Sequence, residues 1–296
     1  MLKLELVEAV LARALKGGAD FAEVYAQRAK KRRMKVRQGA LEEALSGLDY
    51  GAGVRLFFGT EVVYAYTNDL TQEGLMEALE TLLRAKGALG KVDEGGKGGL
   101  DFRKATPKGL HAPKVPYGEK DKRYRLERLL EAEAGARIAA AIKQVEASLL
   151  EWEEEVLVAN TEGVFAEEKR VRTRLFVLAV AQDGAEVQTG YSAPGKSVGL
   201  ELFDLYPPKA VGEKAARQAL TNLKARPAPA GTFPVVVGAG FGGVLFHEAV
   251  GHLLETTSVA RKASVLADKL GEVVASPAVT YIDDGTLPHA WGSTEM

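Results

Sequence analysis

The hexapeptide His247-Glu248-Ala249-Val250-Gly251-His252 holds two of the four histidines in the 296-residue chain, with a glutamate directly beside the first. Those residue types suit metal-assisted hydrolysis. Neutral imidazole is a good Zn²⁺ ligand, and a neighbouring carboxylate can take a proton from a water whose pKa the ion lowers to about 7. The spacing departs from HExxH, in which the two ligands lie four residues and about 40° apart on a helix. Five residues separate the histidines here, about 140° on an ideal helix, too far round to share one ion. Two distortions repair this: a π-turn, or a helix that ends at Gly251 and swings His252 back. Glycine at 251 supplies the permissive backbone that either requires. The remaining histidines, His111 and His289, read as isolated surface residues. Glu255, Glu272, Asp283 and Asp284 qualify as further ligands by composition alone.

Two other patterns compete for attention. Gly238-Ala-Gly240-Phe-Gly242-Gly243 satisfies G-x-G-x-x-G, the dinucleotide fingerprint. Its helix would carry both histidines, however, and no following strand with a terminal acid is evident, so a Gly-rich turn permitting close backbone approach is the simpler reading. The second pattern is the basic run Arg28, Lys30, Lys31, Arg32, Arg33, Lys35 and Arg37. Strand alternation sends these charges to both faces, which predicts a solvated edge strand that discourages pairing.

The elements that must position these residues follow from periodicity. Leu4–Leu15 has helical spacing and stops at Gly17-Gly18. Strands are expected from Phe21 to about Leu48, and Val54–Phe58 and Glu61–Tyr66 form a hairpin about Gly59-Thr60. Asn68 or Asp69 is positioned to cap a helix reaching about Lys86. Residues 87–121 gather glycine and proline and predict a long, mobile loop. A helix over roughly 123–142, strands at 143–151, 154–159, 164–180 and 185–192, and a helix over 209–224 then repeat the earlier order. Beyond Pro227 and Pro229 come short strands at Phe233–Val237 and Ala278–Ile282, with a helix from about Gly243 to Leu254 between them. The fold class predicted is α+β: an N-terminal domain of antiparallel sheet with flanking helices over 1–225, then the start of a β-rich domain over 226–296 carrying the HExxxH helix.

Composition narrows the function. Forty acidic residues balance 39 basic ones, a formal net charge of −1, which disfavours a dedicated nucleic-acid binder. No cysteine is present, excluding disulfide scaffolds and thiol nucleophiles. The first helix carries Glu5 and Glu8 within its apolar pattern, unlike a signal peptide. The longest apolar run, Phe176–Ala181, falls far below the ~20 residues of a membrane span.

On Gly238-Ala-Gly240, Leu245-Phe-His-Glu-Ala-Val-Gly-His252, Gly271–Ser276 and Val279–Thr286, the sequence resembles the TldD/PmbA family, on its TldD side. Gly51–Arg55 and Ala65–Asp69 look similar as well. The PmbA (TldE) side lacks the HExxxH motif. The resemblance implies a cytoplasmic zinc metallopeptidase that degrades or trims unfolded peptides, working as a homodimer or with a TldE/PmbA-like subunit, in a family first named as a modulator of DNA gyrase. It assigns His247 and His252 to zinc and Glu248 to catalysis. It also implies a third zinc ligand, a cysteine in the C-terminal half, which this cysteine-free chain does not provide. The chain is shorter than family members, so the expectation is a truncated polypeptide. Its alternative role is that of a catalytically inactive fragment acting as a binding or assembly subunit.

Overall fold

The structure is a computed structural model that describes residues 1–87, 100–105, 109 and 111–294. The chain divides into two units, one of Met1–Ala225 with Thr286–Met296, the other of Arg226–Gly285.

The first unit is built on one twice-used pattern. Helix α1 (Leu4–Lys16), strands β1 (Phe21–Arg37), β2 (Ala40–Phe58) and β3 (Glu61–Thr67), and helix α2 (Gln72–Ala85) form the first copy. A short strand β4 (Arg103–Ala105) intervenes. Helix α3 (Lys122–Ala136), strands β5 (Ile142–Asn160), β6 (Val164–Asp183) and β7 (Glu186–Ser192), a two-residue strand β8 (Gly195–Lys196), a short helix α4 (Leu202–Leu205) and helix α5 (Pro208–Leu223) form the second. The strands make one sheet in the order β3-β2-β1-β5-β6-β4, with β7 and β8 also on β6. β1 and β5 run antiparallel at its centre, where the copies meet. The expected antiparallel sheet with flanking helices is therefore present, and the hairpin turns where expected, with Gly59 at φ 58° and Phe58 opposite Glu61. At α2 the cap is Thr71, whose hydroxyl accepts from Gly74 N, while Asp69 holds Thr71 in turn.

Alternation explains the two cores. Ala22, Val24 and Ala26 of β1 pack with α1 and α2, whereas Met34 and Val36 of the same strand face pack with α3 and α5. Between them the strand is charged. This corrects the expectation for the basic run: β1 is not an edge but is paired on both sides. Its cations face carboxylates across the ladder. Arg32 lies opposite Glu151, Lys30 opposite Glu153 and Arg28 opposite Glu155. On β6, Arg170 stands opposite Glu154 and Lys169 opposite Glu155. Lys31 rests 4.7 Å from the Trp152 ring centroid, and Arg172 rests 5.2 Å from it. Cross-strand pairing lets a charged strand be central.

The loop expected over 87–121 is corrected in part. Residues 88–99, 106–108 and 110 lie outside the described residues. Of the rest, β4 adds in parallel to β6, and Phe102 packs edge-on against Phe165. Tyr117, only 5% exposed, anchors the segment before α3 by donating to the carbonyl of Arg172 at 2.8 Å and sharing a 2.8 Å hydrogen bond with Thr173. Arg125 gathers the same segment by donating to the carbonyls of Tyr117 and Asp121 at 2.8 and 3.0 Å.

In the second unit the described residues form helix α6 (Val244–Ala249), α7 (Thr256–Ala260) and short 3-10 turns. The strands expected at 233–237 and 278–282 do not pair: neither enters any ladder, and Val236 and Ile282 are 97% and 78% exposed. Apolar, β-branched sequence supplies the propensity for a strand, but a strand is completed only by a hydrogen-bonding neighbour. Among the described residues no helix is long and apolar enough to cross a membrane.

Candidate metal centre

The HExxxH segment folds by the second of the two routes. α6 ends at Ala249, where Val250 leaves helical geometry at φ −131°, ψ −45°, and Gly251–Leu254 continues as a 3-10 turn. The change of pitch removes the 140° offset. The His247 and His252 rings come to 4.5 Å between centroids. With Glu248 they are the one group of three or more potential metal ligands among the described residues, their donor atoms all within 4.8 Å of one another. Two nitrogens on a tetrahedral zinc lie about 3.4 Å apart, so the donors need only small side-chain rotations to converge. All three are exposed.

Gly251 has a steric reason to be glycine. A Cβ there would lie 3.0 Å from the Tyr281 hydroxyl and 3.4 Å from His247 Nδ1, a tight fit that would push the tyrosine or the turn by a few tenths of an ångström. Tyr281 is thereby placed beside the site. In the sequence Tyr281 lies inside the expected strand Ala278–Ile282, and no spacing signal links it to His247.

Glu255, considered above as a further ligand, hydrogen-bonds the candidate ligand His252. Its carboxylate meets His252 Nδ1 at 2.6 Å, leaving Nε2 toward Glu248 at 3.6 Å. That hydrogen bond holds the imidazole pKa above its usual value, with the Glu248 charge adding to the effect. The arrangement is the carboxylate–histidine pairing that orients metal ligands. Glu272 is engaged with Lys269 at 2.9 Å, and neither Asp283 nor Asp284 belongs to the cluster.

The other two histidines are not the isolated surface residues expected. His111 is 2% exposed, and its ring lies 6.2 Å from that of His289. The backbone N–H of His289 donates to His111 Nδ1 at 3.1 Å, and His289 Nδ1 pairs with the Ser197 carbonyl at 3.1 Å. They meet because residues 286–294 pack into the first unit, where Ser197 N–H donates to the His289 carbonyl and Arg172 to that of Trp291. A separation of 178 residues hides such a pair from any local pattern.

The glycine run before α6 forms a turn, with Gly240 at φ 93°, and then a 3-10 segment Phe241–Gly243 that runs directly into α6. Among the described residues no paired strand precedes it, as the dinucleotide fingerprint requires.

Three consecutive family models cover most of the chain. PmbA/TldA metallopeptidase domain 1 matches residues 22–86, the central domain residues 113–223 and the C-terminal domain residues 230–296. The chain belongs to the PmbA/TldD metallopeptidase family. Among its relatives is a Haemophilus influenzae metalloprotease TldD homolog, 33% identical over 93% of this chain and 58% of its own length. A metalloprotease of Methanothermobacter thermautotrophicus is 29% identical over 90% of the chain and 58% of its own length. The chain thus spans somewhat over half the length of these PmbA/TldD relatives. Solved structures share the fold. A candidate DNA gyrase modulator from Thermotoga maritima superposes with TM-score 0.73 at 19% identity, covering 98% of this chain and 64% of its own. TldE from Thermococcus kodakarensis gives 0.69 at 17% identity, covering 98% and 64%.

Proposed function

We propose that the protein is a TldD-like, zinc-dependent peptidase of unfolded peptides, acting with a second copy or a TldE-like subunit. The observation that carries this reading is the turn at Val250–Gly251, which undoes the five-residue spacing and brings His247, Glu248 and His252 into one cluster. Two imidazoles with an adjacent carboxylate fit a zinc ion in donor chemistry. His247 and His252 would hold it. A bound zinc supplies Lewis acidity, polarising a scissile carbonyl and making water more acidic.

The chain's own residues supply the rest. Glu248, exposed beside both imidazoles, takes the proton of the attacking water and returns it to the departing amine. Glu255 fixes the orientation of His252 through Nδ1 and so commits Nε2 to the metal side. Gly251 keeps the turn close to His247. The exposure of the cluster leaves room for an extended peptide. The family resemblance implies a cysteine as third ligand, and this chain has no cysteine.

The test is Glu248→Gln, assayed on a fluorogenic unfolded peptide with a TldE-like partner present, with zinc content measured on the same sample. Hydrolysis is expected to vanish while zinc is retained. Cleavage at the wild-type rate would overturn the assignment of Glu248.

A further inference from the structure

Beside the charged middle of the sheet, between β1, β2 and the start of α3, lies a cavity of about 510 Å³. Its charges do not cancel. Two carboxylates line it, and both are engaged. Glu151, 1% exposed, is held by Arg125 and lies 3.5 Å from Arg32. Asp121 caps α3 by accepting from Tyr124 N at 2.9 Å. Arg33 is neutralised by Glu43 at 3.4 Å. Of the three lysines of the lining, Lys120 and Lys122 have no carboxylate partner among the described residues, and Lys30 faces Glu153 across the ladder, whose carboxylate pairs with Arg32 at 3.6 Å instead. The cavity therefore carries surplus positive charge over an apolar floor that includes Met34 and Leu149.

The same wall has an unfinished ladder. β2 pairs with β1 along its whole length, but β3 joins it only from Ala52 onward. Along Ala40–Gly51 the outer edge of β2 has no ladder partner among the described residues, and Leu41, Leu45 and Leu48 on it are 48%, 60% and 53% exposed. Ala44, Leu45 and Ser46 of this edge also line the cavity. Open backbone groups and uncompensated cations thus occur together.

We propose that this edge and cavity form a docking site for an extended, acidic polypeptide segment. Its main chain adds to the β2 edge, and its carboxylates, recurring on one face every second residue, reach Lys30, Lys120 and Lys122. Charge decides the occupant. A second copy docked about a two-fold axis through this wall would bring the same lysines together, which is repulsive. Docking itself does not need the metal centre. Only the purpose of docking, substrate capture, rests on the peptidase reading.

The test is fluorescence anisotropy of the metal-free protein, in chelator, with three labelled extended peptides of matched length. One alternates glutamate with valine or threonine, one carries glutamine at the same positions, and one carries lysine. The acidic peptide is expected to bind at least about tenfold more tightly than the glutamine peptide, with affinity falling as salt rises. The variant K30E/K120E/K122E should abolish that preference, and Lys122→Glu alone, at an exposed position, should weaken it with unchanged melting temperature. Equal binding of acidic and glutamine peptides, or full affinity in the lysine variants, overturns the proposal. So does equal binding of single-stranded oligothymidylate, which would make the site a general polyanion surface. Light scattering that shows this edge buried in a dimer, with no peptide bound, assigns the wall to a second copy instead. Because binding is read without hydrolysis, failure here leaves Glu248 untouched, and an inactive Glu248→Gln leaves this site untouched.

Discussion

Replacing Arg125 with methionine removes the main counter-charge of Glu151, a carboxylate 1% exposed beneath α3. Arg125 donates to both carboxylate oxygens and also to the carbonyls of Tyr117, Lys120 and Asp121. Breaking a buried ion pair from one side costs about 3–5 kcal/mol, because the remaining charge stays desolvated. Arg32, 3.5 Å from Glu151, retains part of the compensation, so the expected cost is near the lower end, about 3 kcal/mol. For a unit of this size that corresponds to a fall of about 6–12 °C in melting temperature. The pair itself contributes much less than this, since two buried charges gave up their hydration to meet. R125M/E151L should therefore recover the part of the loss due to the stranded carboxylate, the Arg125 hydrogen bonds to the three carbonyls staying lost. Urea denaturation of wild type, both single variants and the double variant measures the coupling. A single variant costing under about 1 kcal/mol, or a double variant no better than R125M, would refute the reasoning.

Tyr117→Phe removes two buried hydrogen bonds and should cost about 1–2 kcal/mol at neutral pH in the same denaturation assay. Burial pushes the Tyr117 phenol well above its ordinary value of 10.0. Its neutral form is therefore the folded-state form, and its contribution is fully present below pH 10 and lost as pH rises toward the folded value. The alkaline fall of wild-type stability should accordingly be shallower in Tyr117→Phe; identical slopes would contradict the burial argument. Gly251→Ala should weaken zinc binding, read by competition with a chromogenic chelator, because the new methyl meets Tyr281 and His247. Undiminished affinity would show that the turn tolerates a side chain. Glu255→Gln should lower zinc affinity about 10- to 100-fold by loosening His252, and no change would remove Glu255 from the site.

Local patterns were legible where the chain acts locally. The hairpin at Gly59-Thr60 and the helices α1, α2 and α5 follow from spacing and turn chemistry within a few residues. That the helix must distort near Gly251 for His247 and His252 to meet was also readable, although the break falls at Val250, one residue earlier. Long-range pairing was not. The basic residues of β1 look like an exposed edge until Glu151, Glu153 and Glu155 are seen opposite them, more than a hundred residues later. His111 and His289 meet for reasons carried by Ser197 and the packing of residues 286–294, none of them visible in either histidine's neighbours. Phe233–Val237 shows the opposite failure. Its propensity for a strand is real, yet no described strand lies beside it to complete the ladder.

The measurement that bears most directly on the metal centre is a zinc titration of the 296-residue protein beside His247→Ala and His252→Ala, followed by calorimetry. The account predicts one zinc per wild-type chain, with affinity reduced by a large factor in each variant and both variants folded as judged by circular dichroism. Zinc binding of equal stoichiometry and affinity in all three proteins would contradict it, because the ion would then be held by something other than the turn that brings these two histidines together.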